Sequence, residues 1–439
     1  TINEKLGTDY RLFNYYGAPD ADRVIVAMGS VCDTIQETVD FLNARGEKVG
    51  MVKVHLYRPF SAKHLLAALP ETVKHISVLD RTKEPGSLGE PLFLDVVAAL
   101  KGSAFNDVPV YGGRFGLGSK DTVPAHIIAV YNNMAAPQPK PEFTLSIEDD
   151  VTHLSLPVTE NPDTTPAGTT SCKFWGLGSD GTVGANKDSI KIIGDNTDMF
   201  AQGYFFYDSK KSGGITVSHL RFGSSPITST YLINKANFVA CHCPSYVTKY
   251  DMVQDLVPGG TFLLNCIWTP DQLDSQLPVS MKRYIAENNI HFYIINGIKI
   301  AEEVGLPGRA STILQSAFFA ISGILPVEKA IELMKAAVVK KFSKKGEAVV
   351  NANFAGIDRG AQEIVKVDVP DSWKTAEDAP RRLEVPTDRP EMKKFVKEIL
   401  DPVGRLHGDD LPVSAFADRA DGVYPAGSAA FEKRGIVIT

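Results

Sequence analysis

The sequence has few cysteines and no long apolar run. Its five cysteines stand at scattered positions, 32, 172, 241, 243 and 266, which is typical of reduced thiols in a cytosol rather than of a disulfide framework. No stretch of 18 apolar residues occurs, so no membrane-spanning helix is expected. The first residues, TINEKLGTDYRLF, lack the apolar core of a signal peptide, and because the first residue is not Met we expect a processing boundary there. The sequence therefore predicts a cytoplasmic protein.

Motifs for metal binding and for nucleophilic catalysis are also missing. Cys241-His242-Cys243 has no second pair of ligands at a spacing that zinc would need, so we interpret it as a strand end with partly buried thiols. The sequence contains no run of four cysteines of the kind that holds an iron–sulfur cluster. No Gly-x-Ser-x-Gly elbow, His-Glu-x-x-His pair or kinase signature occurs. The residues predict no metal site and no catalytic residue in this chain.

Charge and composition narrow the class of protein further. The formal net charge is −6, which argues against a general nucleic-acid binder. The 439 residues are 44% apolar and 22% charged, too apolar for a disordered chain. At about 100–200 residues per domain, we expect two or three domains with cores of their own.

Two stretches of alternating strand and helix patterns define the predicted fold. The class is α/β, with two three-layer domains on parallel sheets and an extended C-terminal tail. The predicted boundaries are 1–135 for the first domain, 136–170 for a proline-rich crossing segment, 171–368 for the second domain and 369–439 for the tail. The tail carries seven prolines and one helical pattern near 391–400, so we expect it to form no core.

The strongest local signal is the stretch Phe174–Lys187, where a strand leads through glycines 176, 178, 181 and 184 into a helix. Such a turn lets backbone N–H groups approach an anion, and the helix N-terminus adds positive potential. Ser179, Thr182 and Lys187 add donors. The spacing is neither a dinucleotide fingerprint nor a Walker loop, so a tight turn without a ligand stays an alternative. A second glycine-rich stretch, Tyr207–Gly214, holds two lysines that would complete a polyphosphate site.

Two other loops follow strand ends in the first domain. The charged loop Asp80–Pro91 is interpreted as an interface loop with internal ion pairs, although strand ends of open sheets also bind ligands. The stretch Gly112–Ser119 has four glycines and one arginine. This composition is equally compatible with an anion-binding site and with a turn that packs against a partner domain.

Longer motifs resemble those of the pyruvate:ferredoxin (flavodoxin) oxidoreductase family, over nearly the whole chain. They are Gly29–Ile35, Val54–Phe60, Leu79–Gly86, Gly112–Gly118, Phe174–Lys187, Gly194–Tyr204, Tyr207–Gly214, His219–Gly223, Asp410–Phe416 and Phe431–Gly435. The resemblance implies an internal fragment: a transketolase-C-terminal-like domain, the gamma-subunit-like domain that the family uses for coenzyme A, and the linker before a ferredoxin-like domain.

The family enzyme decarboxylates pyruvate oxidatively with coenzyme A to acetyl-CoA and CO2, and passes electrons to ferredoxin or flavodoxin. Its thiamine diphosphate, magnesium and 4Fe–4S clusters would lie in domains outside this chain. The thiamine signature is absent here, since Gly194-Asp195 is followed by Asn196. The resemblance thus implies a chain that is inactive alone, with coenzyme A, the missing domains and, in the parent, a second copy in a homodimer as partners; no nucleic acid or membrane is expected.

Carried over position by position, the resemblance assigns coenzyme A contacts to one set of residues. They are Gly178, Ser179, Asp180, Gly181, Thr182, Lys210, Ser311 and Asn353. Ser311 departs from the asparagine expected in the family. Coenzyme A carries about four negative charges, which suits the neighbouring lysines. Three alternatives stay open: an oxidoreductase for another 2-oxoacid, a stand-alone module for a nucleotide or acyl-CoA without redox chemistry, and a scaffold whose turns hold no ligand.

Overall fold

The structure, a computed structural model, describes residues 1–208, 213–377 and 383–432. The chain divides into two compact units. Unit 1 comprises Thr1–Thr165, Thr228–Tyr231 and Leu383–Thr439, and unit 2 comprises Pro166–Ile227 and Leu232–Arg382. The short segment Thr228–Tyr231 therefore belongs to unit 1 although the sequence on both sides of it belongs to unit 2. The four predicted ranges, 1–135, 136–170, 171–368 and 369–439, stay predictions.

Unit 1 contains a sheet of six described strands. The strands are β1 (Phe13–Gly17), β2 (Arg23–Ala27), β3 (Val49–Val54), β4 (His75–Asp80), β5 (Val110–Arg114) and β6 (Glu142–Thr144). Its helices are α1 (Ile2–Leu6), α2 (Val31–Ala44), α3 (Ala62–Ala68), α4 (Pro91–Leu100) and α5 (Pro124–Ala135). The strand order is β1-β3-β2-β4-β5-β6, and all neighbours are parallel except β1 with β3.

The layers of unit 1 follow from side-chain alternation along its buried strands. In β2, Ile25 and Ala27 join a cluster with residues of α2 and α5, whereas Val24 and Val26 join a cluster with residues of α3 and α4. Because successive side chains of a strand point to opposite faces, helices cover the sheet on both sides. Because both faces of the sheet are covered, a central strand such as β2 is apolar at successive positions instead of alternating between apolar and polar residues.

Unit 2 contains a sheet of seven described strands. The strands are β7 (Thr170–Leu177), β8 (Phe200–Tyr207), β9 (Ile215–Gly223), β10 (Ala236–Cys241), β11 (Leu256–Asn265), β12 (His291–Ile295) and β13 (Val365–Lys366). Its helices are α6 (Thr182–Asn196), α7 (Leu273–Gln276), α8 (Val279–Glu287), α9 (Gly297–Glu303), α10 (Ser311–Ser322), α11 (Val327–Phe342) and α12 (Glu347–Gln362). The order is β13-β12-β11-β10-β7-β9-β8.

The sheet of unit 2 is mixed. Strands β7, β10, β11 and β12 run parallel, while β9 is antiparallel to both β7 and β8, and β13 is antiparallel to β12. A short connection joins β8 to β9, and only antiparallel strands can be joined in this way. Two apolar clusters lie on opposite faces, one with Phe238 and Phe318 and the other with Val239 and Met281. The α/β class with two three-layer units is confirmed, with antiparallel strands at the sheet edges.

The C-terminal region from residue 383 to 432 is not extended throughout. It contains α13 (Pro390–Phe395), α14 (Asp401–Gly404) and α15 (Ala429–Glu432), with a π-helical turn at Val396–Leu400 between the first two. Met392, Phe395, Val396 and Ile399 are buried together with Val385. Their spacing of three, four and seven residues makes one helical stripe. The expectation that the tail forms no core is therefore wrong for this stretch.

Turns of 3-10 helix lie at Leu117–Ser119, Pro244–Tyr246, Val253–Asp255, Pro270–Gln272, Ser343–Lys345, Asp371–Thr375, Gly408–Asp410 and Val413–Arg419. Within the described ranges, no helix has both the length and the apolar character needed to cross a bilayer.

Candidate functional site

The glycine-rich turn predicted from the sequence connects β7 to α6 in unit 2. The Gly178 N–H donates to the Gly214 carbonyl at 2.7 Å, which fixes the turn to the start of β9. Ser179 and Gly181 have φ angles of +75° and +89°, in the left-handed region. Glycine adopts this conformation without strain, and it lets Gly181 serve as the N-cap of α6. The turn thus presents backbone and the exposed Ser179 side chain to its surroundings.

The Asp180 carboxylate folds back onto this turn. It accepts hydrogen bonds from the Leu177 N–H at 2.9 Å, the Thr182 N–H at 2.8 Å and the Thr182 hydroxyl at 2.8 Å. Three bonds within the turn occupy the carboxylate and cap the first turn of α6. A Cβ added at Gly176 would lie 2.6 Å from Thr182 Oγ1, so a glycine is needed there for this close approach. The negative charge is therefore directed into the turn itself.

A first cavity of about 510 Å³ lies against the turn. Its described lining is Gly178, Ser179, Asp180, Gly181, Val183, Gly184, Tyr207, Asp208, Gly214, Ile215 and Thr216. In the described part of the chain, no group accepts a hydrogen bond from the N–H of Val183 or Gly184. These N–H groups belong to the first turn of a 15-residue helix, where the helix dipole adds positive potential. The cavity suits an anionic group.

A second cavity of about 220 Å³ lies on the other side of the same turn. Among its lining residues are Thr182, His242, Asn265, Arg309 and Ser311. The Thr182 hydroxyl lies 2.7 Å from His242 Nδ1. Burial lowers the pKa of His242 to about 4, so the ring is neutral at physiological pH. The second cavity therefore offers a neutral imidazole and an arginine to a ligand.

The structure brings most of the sequence-predicted site residues to these two cavities. Gly178, Ser179, Asp180 and Gly181 line the first cavity. Thr182 is buried and lines the second, together with Ser311 at the start of α10. The two sides are adjacent, since a Cβ on Gly181 would lie 2.7 Å from Ser311 Oγ.

The remaining predicted residues lie elsewhere or outside the described chain. Asn353 is buried in α12, donates its side-chain amide to the Val349 carbonyl at 2.8 Å, and lines neither cavity. Lys210 and Lys211 fall outside the described residues. Lys187 is exposed on α6, with its ammonium 5.2 Å from the ring centre of Phe205.

The sequence alone did not identify His242 and Arg309 as lining residues, whereas Tyr207 belongs to the glycine-rich stretch that it did identify. His242 directly follows β10, which lies beside β7 in the sheet. Ligands of open α/β sheets bind outside the carboxyl ends of strands where the strand order reverses. The signal was thus a histidine at a strand end, which becomes informative once the strand order is known. The flanking Cys241 is buried, and no group of three or more metal-ligating side chains occurs within the described ranges.

The charged loop of unit 1 is held by buried carboxylates. Asp80 accepts hydrogen bonds from the Leu92 and Phe93 N–H groups at 2.9 and 3.1 Å, which caps α4, and burial raises its pKa. Glu90 is buried and pairs with Arg114 at 2.6 Å. The ion pair joins the loop to Arg114 of β5 rather than two residues of the loop, so the interpretation as an interface loop with internal ion pairs stays a prediction.

Comparison with known proteins identifies the family. A family model described as pyruvate ferredoxin/flavodoxin oxidoreductase matches residues 171–363, and the model of pyruvate:ferredoxin oxidoreductase core domain II matches residues 21–127. A domain of unknown function matches residues 379–437. Together these matches extend over both units.

Two relatives are similar in sequence over nearly the whole chain. The pyruvate-flavodoxin oxidoreductase of Enterobacter agglomerans is 55% identical over 441 residues, covering 100% of this chain and 37% of that protein. The pyruvate:ferredoxin oxidoreductase of Moorella thermoacetica is 54% identical over 432 residues, covering 98% and 36%. A solved pyruvate oxidoreductase subunit from Thermotoga maritima gives a TM-score of 0.38 at 16% identity, covering 46% of this chain and 99% of that one. The chain thus spans little more than a third of the curated relatives, 37% of the first, and it belongs to the pyruvate:ferredoxin (flavodoxin) oxidoreductase family.

Proposed function

We propose that this chain supplies the coenzyme A-binding part of an enzyme that oxidatively decarboxylates pyruvate to acetyl-CoA and CO2. Electrons would pass to ferredoxin or flavodoxin, the two electron acceptors that appear in the names of the relatives. The single observation that carries the proposal is the first cavity, where a glycine turn and the first turn of α6 face about 510 Å³ of space. The cytoplasm as the site of action stays a prediction.

The chemistry of the turn supports a diphosphate ligand. The N–H groups of Val183 and Gly184 are donors without an acceptor in the described chain, and the Ser179 side chain is exposed beside them. Hydrogen bonds from N–H groups to phosphate oxygens are charge-assisted, and each contributes roughly 1.5–3 kcal/mol. Asp180 would not repel the diphosphate strongly, because three donors of its own turn neutralise much of its field.

The redox cofactors of the family find no matching residues here. All five cysteines are free, and the described residues contain no cluster of three metal ligands. We therefore propose that thiamine diphosphate, magnesium and the iron–sulfur clusters are not held by this chain, and that the 439-residue chain alone is catalytically inactive. Pyruvate-dependent reduction of a dye by the pure chain would contradict this.

A charge placed at Gly184 tests the coenzyme A site. A Cβ at Gly184 meets no atom within 4 Å, so a side chain would fit and would project where the cavity lies. Gly184→Asp adds an anion in the first turn of α6, which stabilises a helix by about 0.3–1 kcal/mol. Gly184→Asn is the matched control, since it has the same shape without the charge. Two like charges about 4 Å apart repel by roughly 1–4 kcal/mol between bulk water and a protein surface.

Isothermal titration with coenzyme A is the measurement. We expect the Kd of Gly184→Asp to exceed that of Gly184→Asn by about tenfold or more, since ~1.4 kcal/mol is one decade, and the gap to shrink at high salt. Lys210→Ala, chosen from the sequence alone, is expected to weaken binding about tenfold. Equal affinity of the wild type and all three variants would leave the tight turn without a ligand as the better interpretation.

A further inference from the structure

The second cavity contains a histidine whose ring is fixed by a chain of three side chains. Thr182 Oγ1 lies 2.8 Å from Asp180 Oδ2 and 2.7 Å from His242 Nδ1. An ionised carboxylate only accepts hydrogen bonds, so the Thr182 hydroxyl proton points to Asp180. The Thr182 oxygen is then left to accept, and His242 Nδ1 must be the donor. The neutral ring therefore carries its proton on Nδ1 and a lone pair on Nε2.

The rest of His242 is held just as firmly. Its backbone N–H donates to the Trp175 carbonyl at 2.8 Å, and its carbonyl accepts from Asn265 Nδ2 at 2.9 Å. The ring stands edge-on to Phe174, with centroids 6.2 Å apart. Asn265 is itself fixed, because its Oδ1 accepts from the Gly297 N–H at 3.0 Å. Within the described ranges no group donates to or accepts from Nε2, so this nitrogen is available to a ligand in the cavity.

The walls of the second cavity are mostly apolar. Leu177, Pro244, Ile298, Ala301 and Leu314 line it. Its charged groups are Asp180, which is occupied within the turn, and the exposed Arg309 at the rim. A flat apolar ring that carries one hydrogen-bond donor matches such a slot, and a nucleobase with an exocyclic amine has this chemistry.

We propose that His242 Nε2 is the specificity-determining acceptor for the exocyclic amine of adenine in the second cavity. The inference rests on the proposed function, because coenzyme A is the adenine-bearing ligand proposed for the adjacent first cavity. Asp180 and Thr182 act as positioning residues, since they set the tautomer of His242. A base that presents a carbonyl at the same place would face the lone pair of Nε2 and be rejected.

The test compares two ligands on the full chain by isothermal titration: coenzyme A and its analogue with hypoxanthine in place of adenine. Wild type should bind the analogue at least tenfold more weakly. Thr182→Val removes the hydroxyl that fixes the ring, and we expect the preference to fall below about threefold, whereas Thr182→Ser should keep it. If Thr182 were needed only for folding, the ratio of the Kd values for the two ligands would be the same in Thr182→Val as in wild type. A purely structural defect weakens the binding of both ligands by the same factor.

A second measurement needs no variant of the turn. Nitrogen-15 spectra of histidine-labelled chain, with His242→Asn to assign the signal, should show a protonated Nδ1 and an unprotonated Nε2 at pH 7. A protonated Nε2, or equal affinity of wild type for both ligands, would overturn the inference while leaving coenzyme A binding intact. Failure of wild type to bind either ligand would overturn the proposed function and this inference together.

Discussion

Glu37 in α2 is a buried carboxylate, only 3% exposed, and it accepts three hydroxyl hydrogen bonds within unit 1. The donors are Thr164 Oγ1, Ser229 Oγ and Tyr231 OH, each at 2.5 Å. Burial and the charge of Glu37 raise the pKa of Tyr231, which keeps that hydroxyl protonated and donating. Glu37 thus helps to fix the segment Thr228–Tyr231 to α2, together with Thr230, whose hydroxyl donates to the Ser30 carbonyl at 2.8 Å. We expect its charge to contribute strongly to the stability of unit 1.

The perturbation is Glu37→Gln, which keeps the shape and removes the charge. A hydrogen bond to a charged group is worth roughly 1.5–3 kcal/mol and a neutral one roughly 0.5–1.5 kcal/mol, so a bond kept to the amide oxygen would lose about 1 kcal/mol. The amide NH2 group that replaces the other oxygen only donates, so a hydroxyl that bonded there loses its acceptor. The expected loss is about 3–5 kcal/mol, or roughly 6–20 °C in the melting temperature of a unit of this size. Glu160→Gln is the matched control, because Glu160 is partly exposed and pairs with Arg45 at the surface. We expect that change to cost less than about 1 kcal/mol.

Differential scanning calorimetry gives the melting temperatures, and hydrogen exchange read by mass spectrometry shows where protection is lost. Peptides of α2 and of residues 226–233 should exchange faster in Glu37→Gln, while peptides of α10 in unit 2 should not change. If Glu37→Gln melts within about 1 °C of wild type and α2 stays protected, the three bonds do not stabilise unit 1 through the charge, and this reasoning is refuted.

Two further predictions concern pH and the turn. Burial lowers the pKa of His126 in unit 1 and of His242 in unit 2 from 6.5 to about 4 each. The unfolded chain therefore binds more protons between these values, so stability should fall as the pH drops from about 6.5 to 4, and urea unfolding at pH 7 and pH 5 measures this. Gly176→Ala should lower the melting temperature, because the new Cβ would lie 2.6 Å from Thr182 Oγ1, whereas Gly184→Ala, with open space around its Cβ, should raise it slightly. Circular dichroism on heating distinguishes the two, and equal shifts would contradict the packing described at Gly176.

Buried apolar runs predicted much of the fold. The strand from His75 and the helices near 279–287 and 311–322 follow directly from their apolar patterns. The helix Glu347–Gln362 was missed because its glycines look like breakers in a sequence. A Cβ on Gly360 would lie 2.4 Å from the backbone oxygen of Ile313, so this glycine allows α12 to approach α10 closely. Such a contact between distant segments is invisible to local patterns.

The sequence pattern of residues 248–256 predicts a helix, and this prediction is wrong for a similar reason. The chain forms a short turn at Val253–Asp255 and enters β11 at Leu256, because pairing with β10 decides the conformation there. The glycine turn itself was predictable, since glycine at a left-handed position follows from local chemistry. The contact between Thr182 and His242 was not predictable from the sequence, because it depends on which strand lies next to β7.

The placement of Thr228–Tyr231 in unit 1 has a consequence for the order of folding. During synthesis residues 1–165 leave the ribosome before residues 228–231, and until then Glu37 has only Thr164 of its three donors. Contacts between residues nearly 200 positions apart close late, because a long loop must be ordered before they form. The full set of Glu37 contacts therefore forms only after residue 231 has emerged, and residues 1–165 expressed alone would contain a buried carboxylate without two of its partners.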